Sequence, residues 1–405
     1  MRILKSSFAV VERRAEHAVK YFYSHLFWHN PALRALFPSS AHDMQRQRDR
    51  LFAALTHVIA LLEHESLLPY LNDLGRDHRK FLARPEHYAA VGASLLAALA
   101  EASGAAWTPD VEKAWSEAYQ VIADAMTAGA AGGEDPPWWD AEIVRHLTYG
   151  EDIGVLTLRP AAPFRYRPGQ YTSVSSARVP RTWRTYSIGN APRPDGTLDL
   201  HVSRIEHGRL STALVREARP GELLRLGAAG GALTLRRGDR PVSLIAAGTG
   251  WAPVRALLEE LGDHPPDRAV RLFVVARDAA HLYDRPLIDA YAAAFRWLAV
   301  TYITPAPGRH RDEATARLAT ALGNRGRWPD QDVYLSGPPV FVDETVHLLQ
   351  ELGARPGRIF HDTLPAAGSG RGPQGRPSGF GEWFLHRPDP HWLDPSRRAP
   401  RHGHG

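Results

Sequence analysis

Apolar side chains recur every three or four residues over the first 130 positions, which is the period of helices that bury one face. Pro85 and the pair Thr108-Pro109 stand where two of these helices are predicted to begin, because proline suits the first helical turn. Asn30-Pro31 is predicted to end the first helix. The apolar stripes run over residues 8–26, 47–62, 88–99 and 111–125. The pattern predicts an all-α domain over residues 1–130.

After residue 130 the spacing of apolar residues changes twice. Residues 128–137, "AGAAGGEDPP", interrupt the helical pattern, and we predict a linker over 131–139. Short alternating segments such as "GVLTLRP" and "LDLHVSRI" then predict an antiparallel β-barrel over 140–236. From 237 to 363, buried strands alternate with helical segments, which predicts an α/β doubly wound domain with a parallel sheet. Residues 364–405 are rich in Gly, Pro and Arg without periodicity, and we predict that this tail is disordered.

Composition excludes several classes of protein. The 405 residues include no Cys, so disulfides, cysteine zinc sites and cysteine-ligated iron–sulfur clusters are excluded. The net charge of +5 comes from dispersed Arg rather than a basic run, so no nucleic-acid partner is expected. The chain has no uninterrupted run of eighteen apolar residues, and we expect no transmembrane segment. Its first residues do not resemble a signal peptide, so a cytoplasmic location is expected.

A glycine turn in the last domain suits a phosphate. "GTG" at 248–250 lies between a buried strand and a helix, where backbone N–H groups and the helix N-terminus can meet an anion. Gly248 and Gly250 carry no side chain that would keep a pyrophosphate away. Pro253 stands where the usual dinucleotide fingerprint has its last glycine, so a tight structural turn is the alternative interpretation.

Two segments of the predicted barrel suit a flavin. In "RTYSIGNAP" at 184–192, Arg184 can pair with a pyrophosphate, Tyr186 can stack on the isoalloxazine, and Ser187 can hydrogen-bond near its reactive nitrogen. In "GRLSTAL" at 208–214, Ser211 and Thr212 could meet a phosphate at another helix N-terminus. A strand that merely carries an Arg and a Tyr is the alternative for the first segment.

Taken in order, these motifs and "YLSGPP" at 334–339 resemble the ferredoxin–NADP reductase superfamily over residues 140–362. The resemblance implies an FAD-binding barrel followed by a domain that binds NADH or NADPH. The residues that it assigns to the flavin are Tyr171, Arg184, Tyr186 and Ser187, and those that it assigns to the nucleotide are Gly248, Thr249, Gly250, Ala252 and Pro253. Leu364 stands where related proteins often carry an aromatic residue that faces the flavin.

A helical domain joined to such a reductase needs a one-electron acceptor, and a chain without Cys can supply one as a haem held by histidine. The segments "YFYSHLFWHNPALRALFP", "QRDRLFAAL" and "DHRKFLARPEHYAAVGASLL" resemble the globin domain of flavohaemoglobins. The resemblance makes His78 the proximal ligand of haem b and leaves His87 as a surface residue.

The same resemblance assigns the surroundings of the haem. Tyr23 and Gln47 form the distal pair, Phe37 packs on the haem plane, and Tyr88 lies on the proximal side. Tyr23 and Gln47 are also polar positions within apolar stripes, where burial without a partner costs about 1–3 kcal/mol. The alternatives are a core tyrosine for Tyr23 and a helix cap for Gln47.

Two positions depart from the family pattern. Asp77 precedes the proximal histidine where relatives often have Lys, and Ala130 stands where relatives have a Glu that hydrogen-bonds the proximal imidazole. An anionic partner makes an imidazole a stronger donor to iron. The missing Glu therefore bears on how much of the family's activity this chain retains.

The resemblance implies that electrons pass from NAD(P)H to FAD to haem, and that the chain acts as a nitric oxide dioxygenase with O2 and nitric oxide as substrates. Two alternatives stay open: a haem-linked reductase of peroxide or O2, and a sensor of O2 or NO that its reductase keeps ferrous. The choice between NADH and NADPH is also open, since Arg277 could contact a 2′-phosphate but Asp278 follows it. The oligomeric state is not indicated by the sequence.

Overall fold

The computed structural model of the protein describes residues 2–132, 135–305, 311–323 and 328–362. The tail predicted over 364–405, with Leu364, lies outside these residues. Within them, a helical domain is followed by an antiparallel sheet and then by a parallel sheet with helices. The fold class predicted from the sequence is confirmed.

Six helices form the first domain. They are α1 (Arg2–Glu12), α2 (Ala15–His29), α3 (Ala41–Leu61), α4 (Leu67–His78), α5 (Pro85–Ser103) and α6 (Pro109–Ala131). The prediction of a single first helix was wrong, because the chain turns at Arg13 and Arg14, where Arg14 leaves helical dihedral angles (φ −122°, ψ 27°). The apolar stripe continues across this turn because α1 and α2 bury their apolar faces in the same core.

The predicted helix starts at Pro85 and Thr108 are confirmed. The Thr108 hydroxyl accepts a hydrogen bond from the Val111 amide at 3.3 Å, which satisfies one of the free N–H groups of the first turn. Ser40 caps α3 in the same way, accepting from the Asp43 amide at 3.1 Å. These caps fix where α3 and α6 begin.

Helices α4 and α6 pack with their backbones in contact at two glycines. A Cβ atom on Gly75 would lie 2.0 Å from the Met126 carbonyl oxygen, and one on Gly129 would lie 2.1 Å from that of Asn72. Neither position can carry a larger side chain without moving a helix. The contact therefore fixes α4, which ends at His78.

One helical segment of the described chain, Pro85–Ala106, is long and apolar enough to cross a membrane by length and composition alone. The sequence led us to expect no transmembrane segment, because the chain has no uninterrupted run of eighteen apolar residues. In the structure this segment is largely α5, whose residues Leu95, Ala98 and Leu99 are buried in the core of the helical domain. Core helices of globular domains pass the same test, so the segment is a weak indication of a membrane span.

The second domain is a six-stranded antiparallel sheet in the order β4-β3-β6-β1-β2-β5. A bridge between Ile188 and Leu200 brings the two edges of the sheet together, so it curls into a half-barrel. A short helix, α7 (Arg209–Thr212), continues as a π-helical turn over Ala213–Glu217. The strands are β1 (Trp139–Tyr149), β2 (Ile153–Pro160), β3 (Tyr171–Ser176), β4 (Val179–Ser187), β5 (Leu198–Ser203) and β6 (Leu223–Leu226).

The third domain is a five-stranded parallel sheet in the order β11-β10-β7-β8-β9, with helices between its strands. The doubly wound arrangement places the carboxyl ends of its strands along one edge, where ligands bind in such folds. Its elements are β7 (Val242–Ala247), α8 (Trp251–Asp263), β8 (Val270–Val275), α9 (Arg285–Ala294), β9 (Leu298–Ile303), α10 (Arg311–Gly323), β10 (Asp332–Ser336), α11 (Pro339–Glu351) and β11 (Ile359–His361).

Candidate haem and flavin sites

His78 lies at the end of α4 with one ring nitrogen already engaged. Its Nδ1 is 2.7 Å from the carbonyl oxygen of Leu74, one turn earlier, so Nδ1–H donates to that carbonyl and Nε2 carries the lone pair. Burial lowers the pKa of the imidazole, which keeps the ring neutral near pH 7. A neutral imidazole that donates through its second nitrogen is the usual form of a histidine that binds a metal.

A haem suits this histidine better than a bare metal ion does. Among the residues that the structure describes, no group of three or more His, Asp or Glu side chains converges to form a metal site. A haem brings its own four nitrogen ligands and needs only one from the protein in a globin. His78 could supply that one ligand, because its Nε2 is not engaged by the bond to Leu74.

The two proximal positions at which the resemblance expects other residues, Asp77 and the region of Ala130, have the following surroundings. The partner of the His78 ring is a neutral carbonyl, and Ala130 lies in the last turn of α6. Asp77 is engaged elsewhere, since its Oδ1 accepts from the Lys80 ammonium at 2.5 Å. Tyr88 packs at the edge of the core between α4 and α6, and its carbonyl accepts from the Tyr119 hydroxyl at 2.6 Å.

His87 has a local role. Its Nδ1 accepts a hydrogen bond from the Arg84 amide at 3.2 Å, which caps the start of α5. His87 was expected to be a surface residue, but it is half-buried because its ring turns back to cap the helix. This use of the ring leaves His78 as the histidine of the segment whose Nε2 could hold iron.

The distal residues assigned from the sequence come together between α2 and α3. Tyr23 is only 3% exposed, and its hydroxyl lies 3.4 Å from the main-chain carbonyl of Gln47. The Phe37 ring meets that of Tyr23 edge-on, with centroids 5.6 Å apart. Burial raises the pKa of Tyr23, so the phenol stays protonated and can donate. The bond to Gln47 is long, which leaves the hydroxyl available to a better acceptor.

An open cleft lies where the half-barrel meets the helical domain. Its lining includes Asp43, Arg46, Arg184, Tyr186, Gly208 and Ser211. Two of these, Asp43 and Arg46, belong to α3 of the helical domain, and neither was expected from the sequence. Arg184 donates from Nη2 to Asp43 Oδ1 at 2.6 Å, and both side chains are largely buried. The cationic lining fits the pyrophosphate of FAD.

The residues assigned to the flavin do not all meet in this cleft. Arg184 and Tyr186 alternate along β4 and share one face of the sheet. Tyr171 and Ser187 are paired with each other across β3 and β4, on the opposite face, and are not among the residues that line the cleft. Thr212 is likewise absent from this lining within the described part of the chain.

Ser211 holds the loop at the mouth of the cleft. Its Oγ accepts from the Ile205 amide at 3.1 Å and donates to the Gly208 carbonyl at 3.1 Å. The hydroxyl is therefore occupied locally, and backbone groups of this loop remain to meet a ligand.

The glycine turn after β7 lies at the carboxyl edge of the parallel sheet. Gly248 has φ +55°, and a Cβ on Gly250 would lie 2.3 Å from the Ser336 carbonyl oxygen, so both positions require glycine. With Thr249 between them, the turn leads directly into α8 and fits a nucleotide phosphate. Ala252 and Pro253 are buried in α8 and face the core, where they pack the helix rather than line a surface.

A buried lysine joins the helical domain to the half-barrel. Lys80 is 6% exposed, and its ammonium donates to Asp77 and, at 2.8 Å, to the Ser173 hydroxyl on β3. The same ammonium lies 5.6 Å from the centre of the Trp183 ring. Lys80 does not stand out in the sequence, because a single Lys next to an Arg resembles ordinary surface charge.

A second network joins the half-barrel to the parallel sheet. Asp199 on β5 is fully buried and pairs with Arg193 at 2.5 Å and with Arg255 of α8 at 3.4 Å. His201, also on β5, bonds through Nδ1 to the Tyr283 hydroxyl at 2.7 Å. The three domains are thus held together through buried polar contacts at both junctions.

Comparison with known proteins agrees with this division. The globin family matches residues 20–126, the oxidoreductase FAD-binding domain matches residues 141–234, and the oxidoreductase NAD-binding domain matches residues 244–347. A flavohemoprotein from Chromobacterium violaceum is 31% identical over 398 residues, which cover 89% of this chain and 96% of that protein. One from Bordetella parapertussis is 29% identical over 398 residues, covering 90% of this chain and 98% of that protein.

A solved structure has the same fold. The flavohemoglobin from Malassezia yamatoensis, with bound FAD and heme, superposes with a TM-score of 0.72 at 23% identity and covers 89% of this chain and 97% of that one. A globin followed by FAD-binding and NAD-binding domains defines a haem- and flavin-dependent oxidoreductase that takes electrons from a nicotinamide nucleotide. The chain belongs to the flavohaemoprotein family, and its cofactors are haem, FAD and NADH or NADPH.

Replacing His78 by Ala should remove the haem, because no other protein ligand to iron is assigned. His87→Ala is the matched control, since it changes a histidine of the same segment that only caps α5. The haem content of the purified proteins and the absorption spectrum of their reduced CO complexes measure the effect. An unchanged histidine-ligated spectrum in His78→Ala would contradict the assignment.

Replacing Arg184 by Ala should weaken FAD binding by about ten- to a hundredfold, the range for loss of a hydrogen bond to a charged group. Arg225→Ala is the control, because Arg225 is an exposed arginine of the same sheet that packs on Trp138. Titration of the flavin-free proteins with FAD gives the dissociation constants. Equal FAD affinity in both variants would remove Arg184 from the flavin site.

Proposed function

We propose that this flavohaemoprotein is a nitric oxide dioxygenase, which converts nitric oxide and O2 to nitrate with electrons from NADH or NADPH. The observation that carries the proposal is the buried Tyr23 hydroxyl, which meets the main-chain carbonyl of Gln47 between α2 and α3. A sheltered phenol that remains protonated supports chemistry on a small ligand that gains negative charge as it reacts.

When bound, FAD would supply the conversion of a hydride into single electrons, and haem would supply a one-electron iron centre that takes up a small gas ligand. The chain's own part in this sequence is to bind and orient. The turn at Gly248–Gly250 receives the nucleotide phosphate, and Arg184 with Arg46 presents positive charge to the flavin pyrophosphate. His78 supplies the ligand to iron through Nε2.

The distal residues shelter and polarise the ligand. Phe27 and Phe37 pack around the Tyr23 ring with centroid distances of 5.7 and 5.6 Å, which excludes water from its surroundings. In such a dry site, a hydrogen bond from the Tyr23 hydroxyl toward developing negative charge is stronger than it would be in water. The main chain of Gln47 meets this hydroxyl, and its side chain accepts from Arg50 at 3.5 Å.

One observation favours a second candidate function. The His78 ring donates to the neutral Leu74 carbonyl, and Ala130 replaces the family's Glu. A neutral partner makes the imidazole a weaker donor to iron than an anionic partner does, which favours reversible ligand binding over ligand activation. The alternative is therefore an O2- or NO-binding protein that its reductase keeps ferrous.

Replacing Tyr23 by Phe removes the hydroxyl and keeps the ring, so the packing should hardly change. We expect O2-dependent consumption of nitric oxide to slow by about a hundred- to a thousandfold, the usual effect of losing a donor aimed at developing charge. O2 should also dissociate faster, while reduction of the flavin by NAD(P)H should not change. Nitric oxide electrode traces and stopped-flow spectra provide these measurements.

The matched control is Tyr21→Phe, which removes a hydroxyl from the same helix where the ring stacks on His25 instead. If Tyr23→Phe leaves both the O2 dissociation rate and nitric oxide consumption at the parent values, Tyr23 is a core tyrosine and the proposed dioxygenase chemistry is wrong. If the parent protein binds O2 but does not consume nitric oxide, the binding-protein alternative holds.

A further inference from the structure

Arg50 is a half-buried arginine with unused hydrogen-bond donors next to the distal pair. It lies on α3, one turn after Gln47, and its Nη1 is 3.5 Å from Gln47 Oε1. Its Nε and Nη2 are shielded from solvent and have no hydrogen-bond partner among the described residues. Buried donors normally find partners, so two on one guanidinium require an explanation.

The charges around Arg50 do not supply that partner. Burial, together with the nearby charges of Arg184 and Arg46, lowers the pKa of Arg50 to about 9. Tyr23 and Asp43 act to raise this pKa. Arg50 therefore remains protonated at neutral pH. Asp43, the carboxylate of this group, already pairs with Arg184. The cluster carries an excess of positive charge that a small anion or a negatively polarised ligand would balance.

Arg50 also dictates how the Gln47 amide is turned. A guanidinium only donates, so the amide atom that faces it must be the oxygen, Oε1. The Nε2 group of Gln47 is then the end left free to donate to something else. The main-chain carbonyl of Gln47 meets the Tyr23 hydroxyl, so Tyr23, Gln47 and Arg50 form one connected group.

We propose that Arg50 is a positioning residue of the distal site, which turns the Gln47 amide so that Nε2 faces the ligand and which adds a positive charge beside that ligand. The inference rests on the distal assignment within the proposed function but does not require turnover of nitric oxide. It implies that small anions bind the oxidised protein at this site more tightly than Tyr23 and Gln47 alone would allow.

The test compares Arg50→Met, which keeps an unbranched apolar stem without the charge, with Arg50→Lys, which keeps the charge. Arg14→Met is the control, because Arg14 is an arginine of the same domain whose Nη1 donates to the Ala102 carbonyl at 3.3 Å instead. Azide binding to the oxidised haem protein and the C–O stretching frequency of the reduced CO complex are measured, together with the rate of haem loss. The C–O frequency reports the charge next to the ligand, which a merely structural residue would not change.

Arg50→Met should weaken azide binding by about ten- to a hundredfold, the range for loss of a charge-assisted hydrogen bond. It should also raise the C–O frequency. Arg50→Lys should recover most of the azide affinity, and Arg14→Met should match the parent protein in both measurements.

Unchanged azide affinity and C–O frequency in Arg50→Met would overturn the proposal. Faster haem loss with an unchanged C–O frequency would also overturn it, because the guanidinium would then serve a carboxylate of the haem. The two proposals can fail separately. If the C–O frequency shifts in Arg50→Met but Tyr23→Phe still consumes nitric oxide at the parent rate, the role of Arg50 is supported and the proposed dioxygenase chemistry is wrong.

Discussion

Buried charge at the junction of the helical domain and the half-barrel is the constraint on which the two cofactor sites depend. Arg184 of β4 reaches Asp43 of α3, and Lys80 reaches Ser173 of β3. Removing one partner of a buried ion pair typically costs about 3–5 kcal/mol, because the other charge is left without compensation. These contacts therefore hold α3 and the end of α4 in fixed places against the flavin cleft.

These two elements, α3 and α4, carry residues that the proposal assigns to the haem. Helix α3 carries Gln47 and Arg50, and α4 ends at His78, one turn after the Leu74 carbonyl that orients its ring. Close backbone packing at Gly75 holds α4 from the other side. The residues that tie the globin to the reductase thus lie within one or two helical turns of those that the proposal assigns to the haem.

The parts of this architecture that the sequence predicts are set by local interactions. Period changes mark the domains, and Pro85 and Thr108 mark helix starts, because a cap or a first-turn proline acts on its own helix. The turn at Arg13 was missed because the apolar stripe keeps its phase across it. Asp43, Arg46 and Lys80 were missed because their importance comes from residues far along the chain: Asp43 pairs with a residue 141 positions away. The spacing of residues along the sequence contains no information about such long-range contacts.

The most direct test of the account is the flow of electrons across this junction. In an anaerobic stopped-flow experiment with CO present, NADH or NADPH should first bleach the flavin, and the spectrum of the reduced haem–CO complex should then appear. We expect the rate constant of this second phase to be independent of protein concentration, because the transfer occurs within one chain. It should fall in Lys80→Met, while flavin reduction stays at the parent rate. A second phase that rises in proportion to protein concentration, or a haem that stays oxidised while the flavin is reduced, would contradict the account.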